Sequence, residues 1–170
     1  VKWEFLGVAM PRTPPAGIKD SLNAMRARMG LSAIASPAYG YWAPVLRKAG
    51  AKYRLYYSVI VDNYIKTGAI NSTANFDNSW TERAFIGMME TSTPQYVTSW
   101  VDKGYVIHSS TDRGNNYYRA SLSDWSAYFK WNAIDPTYQV TPEGEHYLIY
   151  GSWHSGIVSV AIDPESGKKV

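Results

Sequence analysis

Two segments of similar sequence constrain the fold of this chain more than any other feature. Residues 44–57 and 136–150 each begin with Pro and a short strand-like run, continue through a Gly turn, and end in a run that contains Leu and Tyr. Tyr57 and Tyr150 occupy equivalent places and are 93 residues apart. Two copies of one supersecondary unit predict a fold that is built by repetition of β-strand units.

A second echo extends this repeat towards the start of the chain. Trp3–Gly7 and Trp100–Gly104 each place a Trp and a Gly four residues apart. The order of the segments predicts an all-β chain that holds the end of a first blade, a complete second blade and most of a third blade of a β-propeller. The period exceeds the roughly 40–50 residues of a bare blade, so insertions are predicted at 11–41 and 59–83. About two blades cannot close a ring of roughly 4–8 blades, so residues 1–170 are expected to be part of a larger propeller domain.

Apolar residues between positions 16 and 30 recur with the spacing of one helix face, which predicts a short inserted helix. They lie at i, i+4, i+7 and i+11: Ile18, Leu22, Met25 and Met29. Pro14-Pro15 precede this segment and Gly30 ends it, as is typical of helix boundaries. The strands are predicted at 2–10, 43–48, 52–61, 83–90, 100–108, 133–140, 145–152 and 156–163.

The composition limits the partners that this chain can have. It holds 7 Trp and 14 Tyr against 4 Phe; most of these rings are expected to pack in the sheets, and their polar edges also suit stacking beneath a sugar. The 17 basic and 14 acidic side chains form no basic run, which argues against a nucleic acid partner. No apolar run approaches the roughly 18 residues of a membrane span. The absence of cysteine excludes disulfides and thiolate metal sites.

One turn carries the best candidate for chemistry. The run Asn132-Ala133-Ile134-Asp135-Pro136 places a carboxylate at the start of the third unit. An Asp-Pro pair alone is ordinary turn chemistry. Fifteen residues farther on, however, the loop Gly151-Ser152-Trp153-His154-Ser155-Gly156 offers a hydroxyl, an indole and an imidazole. This combination predicts a polar site at the start of the third unit.

Taken in order, the short motifs of this chain resemble glycoside hydrolase family 43, with most likeness to its endo-1,5-α-L-arabinanases. The resemblance covers nearly all 170 residues. It rests on Trp3-Glu4-Phe5-Leu6-Gly7, Trp42-Ala43-Pro44, Lys52-Tyr53-Arg54-Leu55-Tyr56-Tyr57-Ser58, Trp100-Val101-Asp102-Lys103-Gly104, Asn132-Ala133-Ile134-Asp135-Pro136 and Tyr147-Leu148-Ile149-Tyr150-Gly151-Ser152. It implies a five-bladed β-propeller and an enzyme that hydrolyses α-1,5-linked L-arabinofuranosyl chains with inversion.

The resemblance also implies three acidic residues in the funnel of the propeller: a general base, a general acid and a third Asp that tunes and orients the acid. Asp135 matches the third. The base is expected before Val1 and the acid beyond Val170, so this segment alone is expected to lack hydrolytic activity. Among the remaining carboxylates Glu90 is the best substitute, without a motif to support it. The implied location is secreted or periplasmic. No cofactor and no metal ligand are expected in this segment, whereas the full propeller is a candidate for calcium.

The resemblance assigns five substrate-binding residues: Trp42, Asn132, Ser152, Trp153 and His154. Trp42 has an equally good alternative as a core residue, and Asn132 as a cap of its turn. Two departures from the family pattern affect the preferred linkage. Trp153-His154-Ser155-Gly156 replaces an aromatic residue followed by Trp-Ser-Gly, and Val45 replaces the Asp that commonly follows Trp-Ala-Pro.

Three other functions remain open from the sequence. Two are exo-acting enzymes of the same family, an arabinofuranosidase or a β-xylosidase. The third is a non-catalytic carbohydrate-binding propeller, or an inactive remnant, which the missing base and acid favour. In each case the partner is arabinan or a related plant cell-wall oligosaccharide.

Overall fold

The structure is a computed structural model that describes residues 2–10, 13–28, 32–62, 82–111, 129–151 and 156–170. The described elements are one helix, nine strands and a 3₁₀ turn at Val97–Ser99. In chain order they are α1 (Ile18–Arg28), β1 (Tyr39–Ala49), β2 (Lys52–Asp62), β3 (Glu82–Thr91), β4 (Val101–His108), β5 (Ser110–Thr111), β6 (Phe129–Trp131), β7 (Thr137–Val140), β8 (His146–Tyr150) and β9 (Val158–Ala161).

The strands form antiparallel sheets whose neighbours follow one another in the chain. The first sheet has the order β1-β2-β3-β4, and a later sheet has the order β7-β8-β9. Strands β5 and β6 form a small pair between them in the chain. The hairpins turn at Gly50 and Gly144, whose φ angles of 61° and 85° lie in the left-handed region that favours glycine. Such sequential meanders need only short connections, as the two similar segments predict.

Strand β2 organises the core because both of its faces are buried. The side chains of Tyr57 and Val59 point to α1, where they join Ile18 and Leu22 in one apolar cluster. Tyr56 points to the other face and joins the apolar residues of the β7-β8-β9 sheet in a second cluster. The period of two along a strand therefore separates the helix side from the sheet side.

Polar contacts hold the two sheets together at the same interface. The ring of Tyr56 stacks on Tyr138 with a centroid separation of 5.3 Å and an interplanar angle of 18°. The Tyr56 hydroxyl donates a hydrogen bond to the Gly167 carbonyl at 3.0 Å. The Arg54 guanidinium donates to the Glu165 carbonyl at 2.7 Å. The turn after β9 is thus tied to the middle of β2.

Most of the predicted elements are confirmed. The helix lies at Ile18–Arg28, within the predicted segment. The four predicted strands between 43 and 108 are β1 to β4, and those predicted at 145–152 and 156–163 are β8 and β9. The mostly β architecture is confirmed, whereas the five blades and the closed ring stay predictions.

One predicted strand is absent and several predicted boundaries differ from the structure; β1, for example, begins at Tyr39, inside the insertion predicted at 11–41. Residues 2–9 form no strand, because no described strand lies beside them to complete a ladder. Most of their side chains are exposed, and Trp3 is 91% exposed. The strand predicted at 133–140 begins only at Thr137, since residues 132–136 make a turn. The insertion predicted at 59–83 is shorter, because β2 continues to Asp62 and β3 begins at Glu82. Residues 63–81 lie outside the described part of the chain.

Gly87 in β3 tests how tightly this sheet is packed. A Cβ atom at Gly87 would lie 2.7 Å from Cζ of Tyr57, whose side chain is fully buried. We expect Gly87→Ala to lower the free energy of unfolding by about 1–3 kcal/mol, because the ring has little room to move. Urea denaturation followed by Trp fluorescence measures this.

Gly40→Ala is the matched control. Gly40 lies in β1 of the same sheet, and a Cβ there would meet its nearest neighbour, Nε1 of Trp42, at 3.9 Å, which is an ordinary contact. We expect it to change stability by no more than about 0.5 kcal/mol. Equal denaturation midpoints for Gly87→Ala and Gly40→Ala would show that the Tyr57 ring is not confined.

Candidate active site

Asp135 lies in the turn that leads into β7, with an exposed side chain. Its φ angle is 52°, in the left-handed region, which Asp tolerates better than most residues. Backbone hydrogen bonds brace the turn on one side: the Ile134 amide donates to the Asn132 carbonyl and the Gly151 amide donates to the Ile134 carbonyl, both at 2.9 Å. The carboxylate therefore extends from a backbone whose direction is fixed.

The first sheet supplies a further contact to this turn. The amide of Asp135 donates a hydrogen bond to Oγ of Ser58 at 3.0 Å, across 77 positions of sequence. Ser58 lies in β2 and is fully buried. Trp42 is the residue opposite Ser58 in the β1–β2 ladder. Ser58 thus bonds the backbone of the predicted catalytic residue and is the ladder partner of the predicted aromatic binding residue.

Trp42 is 51% exposed among the described residues, which favours the binding interpretation over that of a core Trp; a contact between Trp42 and a sugar stays a prediction. The β1–β2 register shifts between Trp42 and Val45, and Ala43 in this bulge has a φ angle of 35°. Ala43 and Asp135 are the two non-glycine residues with positive φ in the described part of the chain. Strained backbone tends to gather at functional sites. Here Asp135 donates the hydrogen bond to Ser58, and Ala43 follows Trp42, the ladder partner of Ser58.

Asn132 has a buried side chain with structural partners. It is 4% exposed, and its Oδ1 accepts a hydrogen bond from the Ser109 hydroxyl at 2.9 Å. The same hydroxyl accepts from the Ala133 amide at 3.1 Å. These bonds tie Asn132 and Ala133 to Ser109, and they differ from a turn cap, in which the Asn side chain bonds the backbone of its own turn. A contact between Asn132 and a sugar stays a prediction.

The loop residues Ser152, Trp153 and His154 lie outside the described residues, but the two glycines that flank them are described. Gly151 has a φ angle of 104°, and a Cβ there would lie 2.8 Å from the Gly156 carbonyl oxygen and 3.6 Å from that of Asn132. The two ends of the loop therefore approach each other beside the Asn132–Pro136 turn. Binding roles for the three loop residues stay predictions.

Glu90 is committed to an ion-pair network rather than to the site. Its carboxylate accepts from Nε of Arg54 at 3.1 Å and lies 3.2 Å from Nζ of Lys52. Burial opposes ionisation of Glu90, but the hydrogen bonds from Arg54 and Lys52 outweigh it and lower its pKa. Arg54 precedes Ser58 by four residues on β2, roughly 13 Å along the strand. Glu90 is therefore a poor substitute for a general acid, which needs a raised pKa.

The two described histidines that lie in strands, His108 and His146, have structural contacts. Nδ1 of His108 lies 2.8 Å from the Ser109 carbonyl, and Nδ1 of His146 bonds the Tyr138 hydroxyl. Within the described ranges, no cluster of three His, Asp or Glu side chains is placed to hold a metal ion. No described helix is both long and apolar enough to cross a bilayer.

Sequence reasoning missed Ser58 and Ser109, the two hydroxyls that fix the site. One signal for Ser58 was available, since it is a polar residue in the apolar run Leu55-Tyr56-Tyr57-Ser58-Val59-Ile60-Val61. On a strand with two buried faces, such a residue needs a hydrogen-bond partner. The sequence does not reveal that this partner is the amide of Asp135, because the two are distant in the chain.

The fold and the site together define a class: a β-protein of consecutive antiparallel sheets with a solvent-facing acidic turn. No protein-family profile matches the chain. It is 31% identical over 134 residues to the extracellular endo-α-(1→5)-L-arabinanase 1 of Bacillus subtilis, which covers 78% of this chain and 31% of that protein. The chain thus spans about a third of the length of this curated relative.

Two solved structures share the fold. The α-L-arabinanase of Cellvibrio cellulosa complexed with arabinohexaose matches with a TM-score of 0.54 and 19% identity, over 94% of this chain and 38% of that one. The endo-1,5-α-L-arabinanase of Thermotoga petrophila matches with a TM-score of 0.51 and 20% identity, over 99% and 32% of the two chains. These two structures support the fold, and the 31% identity to the Bacillus subtilis enzyme confirms the resemblance of this chain to endo-arabinanases.

The ion pairs of Glu90 predict a stability that depends on acidity. The folded-state pKa of Glu90 is lowered, so its stabilising effect is complete above the unfolded value of about 4.3 and is lost as the pH falls through the folded pKa. We expect Glu90→Gln to lower the free energy of unfolding at pH 7 by about 2–3 kcal/mol, because two charge-assisted contacts are lost. The difference from wild type should shrink below about pH 4.

Glu143→Gln is the control for this measurement, because Glu143 is exposed in the Gly144 turn. Urea denaturation between pH 3 and pH 7 gives both differences. A Glu90→Gln deficit that is the same at every pH would show that the charge of Glu90 is not its stabilising feature.

Proposed function

We propose that the protein to which this chain belongs hydrolyses α-1,5-linked L-arabinofuranosyl chains with inversion. The observation that carries the proposal is the placement of an exposed carboxylate and an exposed indole around one residue. The amide of Asp135, in a left-handed turn, donates a hydrogen bond to Ser58, and Trp42 is the ladder partner of Ser58. The relative from Bacillus subtilis, which shares 31% identity, is named an endo-α-(1→5)-L-arabinanase and supports the same substrate here. Arabinan and related plant cell-wall oligosaccharides are the proposed partners.

The proposed architecture is a five-bladed β-propeller in which residues 1–170 form part of the domain. The β1-β2-β3-β4 sheet has the four antiparallel strands of one complete blade. The β7-β8-β9 sheet packs against its face and supplies three strands of the next. The proposed location is secreted, as the word extracellular in the name of the Bacillus subtilis relative supports.

Asp135 has a supporting role in the proposed reaction. Inverting hydrolysis requires a general acid and a general base whose carboxyl groups lie roughly 6.5–9.5 Å apart. Two residues other than Asp135 are proposed for those roles. The Asp135 carboxylate would favour the protonated form of the neighbouring acid by charge repulsion and so keep the acid's pKa high enough to donate a proton to the leaving oxygen.

Trp42 is proposed to bind the substrate through the face of its indole. An exposed Trp presents a flat apolar surface to the carbon-bound hydrogens of a sugar ring, and its N–H remains available to a hydroxyl. The bulge at Ala43 turns the strand at this position. For calcium, the described residues offer no ligand cluster, so a calcium site in the full propeller would need other residues, and no step is assigned to it.

A non-catalytic carbohydrate-binding protein is the second candidate. One observation favours it: Glu90, the substitute acid, is held by Arg54 and Lys52. Incubation of the full-length protein with debranched arabinan separates the two candidates. Release of arabino-oligosaccharides supports the enzyme, whereas measurable binding without release would leave carbohydrate binding as the function.

Substitution of Asp135 tests the catalytic assignment. We expect Asp135→Asn in the full-length protein to lower kcat by about 10²–10⁴-fold with little change in KM or melting temperature. The basic limb of the pH–rate profile should move to lower pH by about one unit, because the acid loses a neighbouring negative charge. Initial rates on debranched arabinan between pH 4 and pH 9 measure both effects.

Asp20→Asn is the matched control, because Asp20 is an exposed carboxylate in the first turn of α1. It should leave kcat and the pH profile unchanged. Near-wild-type turnover of Asp135→Asn would exclude Asp135 from the active site.

The mode of cleavage is tested by the products from a linear α-1,5-arabino-oligosaccharide of eight units. We expect an endo-acting enzyme to produce a range of internal fragments early in the reaction. Early release of arabinose or of one fixed short product would instead support the exo-acting alternatives, and release of xylose from xylo-oligosaccharides would support a β-xylosidase.

A further inference from the structure

Ser58 is a buried hydroxyl whose partner lies in the candidate active site. Its side chain is fully buried on the face of β2 that packs on the β7-β8-β9 sheet. Its Oγ lies 3.0 Å from the amide nitrogen of Asp135 and accepts that hydrogen bond. The contact joins two sheets, because Ser58 lies in β2 and Asp135 lies in the turn just before β7, which begins at Thr137.

The conformation of Asp135 requires a restraint of this kind. A non-glycine residue at a φ angle of 52° is in a sparsely populated region. Such a backbone conformation persists only where contacts with the surrounding structure hold it in place. If the amide of Asp135 lost its acceptor, the turn would be free to relax towards negative φ. Such a change rotates the Cα–Cβ bond and so redirects the carboxylate.

Ser58 also fixes where the carboxylate lies relative to Trp42. Trp42 and Ser58 are direct ladder partners, and the bulge at Ala43 begins immediately after Trp42. Ser58 is therefore paired through its backbone with Trp42 and bonded through its hydroxyl to the backbone amide of Asp135. A displacement of about 1 Å in such an arrangement is enough to reduce turnover by as much as 100-fold.

We infer that Ser58 is a positioning residue, which sets the direction of the Asp135 carboxylate relative to the general acid and to the sugar bound at Trp42. This inference rests on the proposed hydrolysis of arabinan. The contact that Ser58 makes is with the backbone amide of Asp135 and not with its carboxylate, so the role inferred for Ser58 is to position the turn.

The experiment compares three variants of the full-length protein. Ser58→Ala removes the acceptor. Ser58→Thr keeps a hydroxyl and suits a strand position. Tyr56→Phe is the matched control: Tyr56 is on the same strand and the same face, is equally buried, and loses one hydrogen bond, to the Gly167 carbonyl. For each variant kcat, KM and the pH profile on debranched arabinan are measured together with the melting temperature.

We expect Ser58→Ala to lower kcat by about 10–100-fold and to move the basic limb of the profile to lower pH, the same direction as Asp135→Asn. Ser58→Thr should restore most of both. Tyr56→Phe should lower the melting temperature and leave the pH profile at its wild-type position. A Ser58→Ala profile that keeps its wild-type basic limb, with a loss of activity no greater than that of Tyr56→Phe, would reduce Ser58 to a structural residue and overturn the inference.

The failure of the inference and the failure of the proposed function give different results. If wild type cleaves arabinan and Asp135→Asn is impaired while Ser58→Ala is not, only the positioning role is wrong. If wild type cleaves no arabinan, the proposed function itself fails and the positioning role with it. If Ser58→Ala is unfolded, Ser58→Cys takes its place, because a thiol is a weaker hydrogen-bond acceptor than a hydroxyl. A basic limb displaced as in Asp135→Asn then supports the inference, and one at its wild-type position contradicts it.

Discussion

The rest of the structure depends on the burial of both faces of strand β2. One face packs on helix α1 and the other on the sheet that follows. Because side chains alternate along a strand, the sequence of β2 must satisfy two different surroundings at once. Its odd-numbered positions are apolar towards the helix, and its even-numbered positions Arg54, Tyr56 and Ser58 meet the next sheet with polar atoms as well as rings.

Those three even-numbered residues lie on the same face of β2 and make contacts with different parts of the structure. Arg54 forms an ion pair with Glu90 and donates a hydrogen bond to the Glu165 carbonyl in the turn after β9. Tyr56 adds a stacked ring and a hydrogen bond at the middle of the interface. Ser58 bonds the turn that holds Asp135. The packing of the sheets and the geometry of the candidate site therefore depend on the same residues, since Ser58 belongs to the buried row that holds the sheets together.

Much of the secondary structure could be predicted from local pattern. The spacing of Ile18, Leu22 and Met25 predicted α1, and the repeated runs predicted the hairpins around Gly50 and Gly144. The error at residues 2–9 has a physical cause: a strand-like sequence forms a strand only where a neighbour completes the ladder. A strand requires both residues that suit an extended backbone and a neighbouring strand that pairs with its amides and carbonyls.

By itself the sequence determined which residue types are available and where the repeated units begin. It singled out Asp135 as a candidate and Trp42 as either a binding or a core residue. Only the tertiary structure decided that the indole of Trp42 is exposed, that Asn132 is buried against Ser109, and that Glu90 belongs to an ion pair. The reason is that exposure and partnership depend on contacts between residues far apart in the chain. The bond between Ser58 and Asp135, 77 positions apart, exists only once two sheets have packed.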